Sequence, residues 1–344
     1  MEGPRRRTRA SGTPPGGNPV TDRHILVVAH TGRPESLGAA VTVCEHLRAA
    51  GLVPVVAADS LDDIREAWGA DALHVLGDDV EVGDLELVIV LGGDGTILRA
   101  AELARGGSAP LLGVNLGHVG FLAESEKDDL GKAITRALGR DYLVEERMTM
   151  SVRVKVGTEV IYESWALNEA TVEKGSRERM LDVVVEVDSR PLSSFGCDGV
   201  VMSTPTGSTA YAFSAGGPVV WPSLDALLLV PLSAHALFAR PLVVGPNSSL
   251  AVEVLERSQG FGVLWCDGRR AFDLPPGARV VARRSSTPVR LARLHQAPFT
   301  DRLVKKFALS VTGWRGPVEP GEATEPVTGA IELPLLGEEE GRPA

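Results

Sequence analysis

Hydrophobic and polar positions follow two regimes that meet near residue 142. Before it, short apolar runs alternate with helix-like stretches. Residues 24–30, 53–57, 87–91 and 110–115 read as strands, and residues 39–50, 97–104 and 127–138 as helices, with Gly51 stopping the first. Uninterrupted apolar runs mark strands buried on both faces. Their alternation with helices predicts a parallel α/β sheet that binds ligands at the strand C-termini. After residue 142 the period falls to two, at residues 151–156, 181–187, 250–255 and 289–294, between Gly, Pro, Ser and Asn turns. That pattern predicts an antiparallel β domain. Residues 299–308 return to a basic, helical pattern. The expected division is a disordered extension (1–21), an α/β domain (22–142), a β-rich domain (143–295), a C-terminal segment (296–316) and an acidic disordered tail (317–344).

Composition narrows the function classes. The chain has 344 residues, room for two domains, with 44% hydrophobic and 23% charged residues. Its net charge of −10 argues against a nucleic-acid partner, which calls for a basic field. No apolar run approaches the ~18 residues that span a membrane, so no membrane partner is expected. Arg5, Arg6, Arg7 and Arg9 are not followed by an apolar region, which argues against a secretory signal, and Pro14 to Gly17 argue against an amphipathic transit helix. Cys44, Cys197 and Cys266 form no CxxC pair and read as small buried hydrophobes. A cytoplasmic protein is the expectation.

Three blocks carry candidate chemistry. In the first, the apolar run 87–91 breaks into Gly92-Gly93-Asp94-Gly95-Thr96. Glycines permit a sharp turn and close approach to a ligand, Thr96 is placed to cap the following helix, and the helix N–H groups favour phosphate. Gly92, Gly93, Gly95 and Thr96 thus form a candidate phosphate cradle. A carboxylate inside it repels phosphate unless it has a role, so Asp94 points to phosphoryl transfer. The alternative is a strand-to-helix turn with Asp94 as a local cap. In the second block, Asn168-Glu169 interrupts a strand-like run. An amide and a carboxylate side by side suit a base edge or ribose hydroxyls; a β-bulge or edge charge is the alternative. In the third, residues 198–218, an apolar strand from Gly199 leads into Ser203, Thr204, Thr206, Ser208 and Thr209, then a short helix stopped by Gly216, Gly217 and Pro218. A hydroxyl-rich loop feeding a helix N-terminus predicts another anion or nucleotide site.

In this order the blocks resemble the NAD kinase family, over roughly residues 22–316. The resemblance extends to residues 113–122, Arg240-Pro241-Leu242, Lys306-Phe307 and Gly313-Trp314-Arg315-Gly316. It implies a Rossmann-like, phosphofructokinase-like α/β domain, an all-β NAD-binding domain, and NAD held between them, often completed by a neighbouring subunit of a homodimer or homotetramer. The implied activity is a phosphotransferase acting on an alcohol group. Phosphate from ATP or inorganic polyphosphate would pass to the 2′-hydroxyl of the adenosine ribose, giving NADP, with a divalent cation, Mg²⁺ or Mn²⁺, whose ligands the sequence leaves unknown. Asp94 would face that hydroxyl as proton acceptor, with Gly95 beside it. Asn168, Glu169 and Asp198 would bind the dinucleotide, as would Thr209, Ala210, Tyr211, Ala212, Phe213 and Ser214. Arg99 and Arg179 match positions that contact NAD in some members.

A carboxylate at a helix N-terminus is a weak base. In a loose phosphoryl transfer it serves by orienting the hydroxyl and taking its proton late. Gly196 stands where some relatives carry a basic side chain, which predicts relaxed discrimination between NAD and NADH. Arg269 and Arg270 stand where some members place Gln and are either solvated or able to reach a phosphate-rich donor. His118 and His235 read as structural. Two rivals remain: a lipid or sugar kinase sharing the glycine-rich turn, and a non-catalytic dinucleotide sensor.

Overall fold

The computed structural model describes residues 23–311 apart from 118–119, 124, 127–129, 176–178, 259 and 296–297. The first part of the chain runs β1 (His24–Ala29), α1 (Pro34–Ala49), β2 (Pro54–Val56), α2 (Leu61–Trp68), β3 (His74–Val75), β4 (Leu85–Leu91), α3 (Asp94–Leu103), β5 (Leu111–Asn115), β6 (Ser125–Glu126) and α4 (Leu130–Leu138). The rest runs β7 (Leu143–Arg147), β8 (Met150–Val156), β9 (Glu159–Ala166), β10 (Glu169–Lys174), β11 (Leu181–Val187), β12 (Arg190–Cys197), β13 (Gly199–Ser203), α5 (Tyr211–Ser214), β14 (Leu227–Leu232), β15 (Leu242–Val244), β16 (Ser249–Val254), β17 (Gly262–Cys266), β18 (Arg270–Leu274), β19 (Ala278–Arg284), β20 (Val289–Arg293) and α6 (Phe299–Phe307).

The first sheet has the order β3-β2-β1-β4-β5-β20-β7, with β6 beside β5. Its pairings are parallel except β20 with β7. Both faces are covered, which is why its strands lack polar alternation. Ile25, Val27 and Ala29 of β1 join Val43 of α1, Ile64 of α2 and Ile134 of α4 in one cluster. Leu26 and Val28 face the other way and join Ile97 and Ala100 of α3.

The remaining strands form two antiparallel six-stranded sheets, β15-β14-β13-β10-β17-β18 and β12-β11-β16-β19-β8-β9. Alternate side chains of both meet in one core, with Val152, Val183, Val252 and Val280 from one sheet and Val172, Met202, Leu229 and Leu264 from the other. This is a β-sandwich.

The α/β and β architectures match the expected classes, and three local readings change. The period-two run 289–294 belongs to the first sheet: Leu291 pairs in parallel with Leu111, and its neighbours fill both faces. β7 sits beside it, so the chain leaves the first sheet through β7 and returns through β20, ahead of the segment expected to make the return. The helix expected to open at Thr96 starts at Asp94, with Gly93 as its N-cap and no side-chain cap, so Thr96 stands within the first turn. Its backbone N–H reaches Gly93 O at 3.0 Å. Among the described residues no helix is long and apolar enough to cross a membrane. The three cysteines are free and buried, and burial raises the Cys44 thiol to about 12.

Arg23 and Arg140 clamp Glu86 of β4, with nitrogen–oxygen distances of 2.6 and 2.7 Å. Burial alone raises this carboxyl; hydrogen bonds and charge from the two arginines outweigh it and bring it from 4.5 to about 2. The ionised group therefore stabilises the fold above its unfolded value and loses that contribution as pH falls toward about 2. Glu86→Gln is expected to lower the melting temperature at pH 7, with the gap to the parent protein narrowing below pH 4.5, as thermal unfolding across that range measures.

Candidate active site

The glycine-rich turn carries the chain from β4 into α3. Gly92 has φ +150°, and a Cβ there would lie 2.5 Å from Thr96 Oγ1, so the turn requires glycine. A Cβ at Gly93 or Gly95 would meet nothing within 4 Å, which leaves open ground beside Asp94. The Asp94 carboxylate is fixed from its far side: the N–H of Phe121 donates to Oδ2 at 3.1 Å, and the N–H of Leu122 to Oδ1 at 3.0 Å. Gly120 completes this seat, since a Cβ on it would lie 2.4 Å from Oδ1. The sequence showed Gly120, Phe121 and Leu122 as neighbours in a motif; their bonds to Asp94 arise from tertiary folding.

Asn168 and Glu169 stand where the chain leaves β9 in one sheet and enters β10 in the other. Both are buried, at 8% exposure each. The crossing breaks the β-ladder, and Asp267 takes up the backbone donors left over. Leu167 N–H donates to Oδ2 at 2.9 Å, and those of Asn168 and Glu169 to Oδ1 at 2.7 and 3.3 Å. In return Asp267 N–H donates to Glu169 O at 2.9 Å. Asp267 and Gly268, with φ +54° and +63°, turn the β17–β18 hairpin that delivers this carboxylate. Sequence reasoning passed over Asp267; its signal was the Asp-Gly pair between two strand-like runs.

Burial raises Glu169 from 4.5 to about 8, the charge of Asp267 adds to this, and a hydrogen bond from Tyr211 N–H opposes it. Burial likewise raises Asp267, against the N–H groups and Arg270. One Glu169 oxygen, Oε2, is buried without a hydrogen-bond partner. The sandwich thus presents a carboxylic acid that stays protonated near neutrality, able to donate as well as accept.

The two blocks meet through Leu167, which shares a buried cluster with Ile97 of α3 and with Leu122. A charged strut reinforces the junction. Arg269 Nε bonds Glu102 Oε2 of α3 at 2.9 Å, Arg270 Nη2 bonds Asp267 Oδ2 at 2.8 Å, and Arg270 Nε lies 3.1 Å from Glu102 Oε1. The guanidiniums of Arg105 and Arg270 lie 4.1 and 4.6 Å from the Trp165 ring centre. Arg269 and Arg270 both tie the sandwich to α3.

The hydroxyl-rich loop works differently from expectation. Ser203 Oγ donates to Asn168 O, Thr204 Oγ1 to Leu167 O and Ser208 Oγ to Pro205 O. Thr209 Oγ1 donates to Thr206 O. Ser203 and Thr204 thus brace the crossing, while Ser208 and Thr209 bond carbonyls of their own loop. Ala210 precedes the one-turn helix α5, where Ala212 packs on Val201 and Val230 while Tyr211, Phe213 and Ser214 are exposed. Asp198 lies between β12 and β13, where Lys174 Nζ, 2.6 Å away, and the Ser233 hydroxyl hold its carboxyl below the usual range. Arg99 is tied to its own domain, bonding Ala29 O at 3.3 Å, Ser60 Oγ at 3.2 Å and the Asp59 carboxylate. Arg179 is exposed just before β11. His235 bridges backbone to Gly196, and His118 and residues 313–316 lie outside the described residues.

Glu169 is raised above its unfolded value, so its stabilising contribution is complete below pH 4.5 and is lost as pH rises through about 8. Glu169→Gln removes the cost of ionisation. Its melting temperature is expected to exceed that of the parent protein by about 5 °C at pH 9 and to converge with it at pH 4.5, as calorimetry at the two pH values measures.

Comparison with known proteins fits this geometry. Residues 25–142 match the model of the ATP-NAD kinase N-terminal domain, and residues 167–294 that of the ATP-NAD kinase C-terminal domain. An NAD kinase of Leifsonia xyli subsp. xyli is 73% identical over 299 residues, covering 87% of this chain and 98% of that protein. An NAD kinase of Thermobifida fusca is 59% identical, covering 86% of this chain and 93% of that protein. In fold, the chain is similar to a yeast NADH kinase complexed with NADH (TM-score 0.75, 21% identity, 84% of this chain and 88% of that one) and to an Archaeoglobus fulgidus NAD kinase in complex with ATP (TM-score 0.63, 23% identity, 84% and 100%). With both domain models matched in order and relatives at this identity along most of its length, the chain belongs to the ATP-NAD kinase family.

Proposed function

We propose that this protein phosphorylates the 2′-hydroxyl of the adenosine ribose of NAD to give NADP, with ATP or inorganic polyphosphate as donor. The observation that carries the reading is Asp94, held from behind by two backbone N–H groups at the start of α3, with open ground over Gly93 and Gly95 in front. The kinases named among its relatives support it. In this reading Asp94 accepts a hydrogen bond from the ribose hydroxyl and aims its oxygen at the terminal phosphorus of the donor. The new oxygen–phosphorus bond forms as the bond to the leaving phosphate breaks, and the proton passes late to Asp94. Asn168 and protonated Glu169 hold hydroxyls or a base edge of the dinucleotide.

A divalent cation, Mg²⁺ or Mn²⁺, would neutralise charge on the donor. Among the described residues no three His, Cys, Asp or Glu side chains converge on a metal position. That fits an ion carried mainly by donor phosphates and water. A homodimer or homotetramer is supported by exposed Met180, Leu237 and Phe238, at 46%, 111% and 52% exposure. Use of both NAD and NADH is supported by Gly196, which brings no cationic side chain to a position where a Cβ would meet Met180 Cε at 3.5 Å and Asp182 Oδ1 at 3.7 Å. We place the reaction in the cytoplasm.

Purified protein with NAD and Mg²⁺ is expected to form NADP, and parallel reactions with ATP and polyphosphate identify the donor. No product with either, while NAD still binds, would favour a dinucleotide sensor. Asp94→Asn is expected to cut kcat by about 10²-fold or more with NAD affinity nearly unchanged; near-parental kcat would refute the role. The ratio of kcat/KM for NAD and NADH is expected within about tenfold, and a strong preference for NAD would count against the Gly196 reading.

A further inference from the structure

Helix α6 has no buried residue, so it adds little to either core. Two of its rings and the Arg302 guanidinium meet Phe121. The Phe121 ring lies against Phe299 and Phe307, with centroids 5.9 and 5.7 Å away. Its carbonyl accepts a hydrogen bond from Arg302 Nη1 at 2.9 Å. The same peptide group carries the N–H of Leu122, which donates to Asp94 Oδ1 at 3.0 Å. One peptide therefore stands between a guanidinium and a carboxylate. A cation at its oxygen polarises it and makes its N–H a stronger donor, and the charge-assisted bonds at both ends fix its orientation. The oxygen of the next peptide is held by a second guanidinium. Arg293 Nη1 donates to Leu122 O at 2.9 Å, while Arg293 Nε is held by Glu145 Oε2 at 2.6 Å. Phe307 also stacks on Phe213 of α5, with centroids 4.6 Å apart, so the helix that grips the Asp94 seat also touches the segment matched to NAD binding.

We propose that Arg302, backed by Arg293, is a positioning residue for Asp94, acting through the Phe121–Leu122 peptide, and that α6 is a working part of the catalytic centre. The proposal rests on Asp94 being the group that meets the ribose hydroxyl. Arg302 touches no reacting atom in this scheme. It sets the direction of the Asp94 carboxylate, and misplacing a positioned group by about 1 Å costs on the order of 10²-fold in rate.

The test compares Arg302→Met and Arg302→Lys in the full-length protein. Arg302→Met is expected to lower kcat about 10- to 100-fold, with the Kd for NAD changed less than about twofold. Arg302→Lys keeps the cation and a donor, and is expected to recover most of that loss. In protein labelled with ¹⁵N-leucine, the Leu122 amide proton, assigned by its absence in Leu122→Ile, is expected to move upfield in Arg302→Met and in Asp94→Asn. Unchanged kcat in Arg302→Met overturns the proposal. So does equal loss in both variants accompanied by loss of NAD affinity or melting temperature, and so does an unmoved Leu122 resonance. Absence of turnover in the parent protein would instead sink the NAD phosphorylation reading; the Leu122 resonance would still decide whether Arg302 acts on Asp94.

Discussion

Leu167, Asn168 and Glu169 direct three consecutive backbone N–H groups at one buried carboxylate, that of Asp267. The need is topological. β9 lies in one sheet of the sandwich and β10 in the other, so the chain must cross between them and abandon its ladder at Leu167 and Asn168. Buried N–H groups without acceptors are costly, and one ionisable side chain on a facing hairpin satisfies all three. The same carboxylate sits close enough to Glu169 to help raise it to about 8. Satisfying the backbone and tuning the side chain are thus a single arrangement: moving Asp267 would change both the path of the crossing and the protonation of what it presents.

From this anchor the domains are brought into register. Asp267 holds Arg270, which with Arg269 engages Glu102 near the end of α3, and the guanidiniums of Arg270 and Arg105 both lie over the Trp165 ring. Asp94 begins the same helix. A ten-residue helix is short and stiff, so fixing its far end to the sandwich limits where its N-terminus can lie. Leu167 seals the joint by entering the cluster of Ile97 and Leu122. Arg269, Arg270 and Glu102 of the strut are partly exposed, and their pairing is geometric more than stabilising.

Asp94 is supported in turn from the opposite side. Its seat at Phe121 and Leu122 is formed by a segment after β5, and that segment is held by residues from β20 and α6, close to the end of the described chain. Both strong contributions to the site therefore come from chain segments far apart in sequence. The first sheet makes this possible because β20 returns to lie beside β5 after the whole sandwich has been traversed.

Much was legible in the chain itself. Uninterrupted apolar runs determined the two-face-buried parallel strands, and period two determined most of the sandwich, because burial on one or both faces is written directly in residue order. The Gly92 turn is local too, since its backbone conformation admits little but glycine. What the sequence did not decide is where side chains end. The strand 289–293 looked like one more sandwich strand, since the sheet a strand joins depends on partners almost two hundred residues away. The hydroxyls of Ser203, Thr204, Ser208 and Thr209 looked like ligand donors, and folding turned them onto backbone carbonyls. The Asp267-Gly268 pair marked a hairpin turn but not what its carboxylate would hold, and Arg293 and Arg302 carried no local signature, because a carboxylate or guanidinium acquires its role from the unpaired N–H or carbonyl that tertiary contact brings to it.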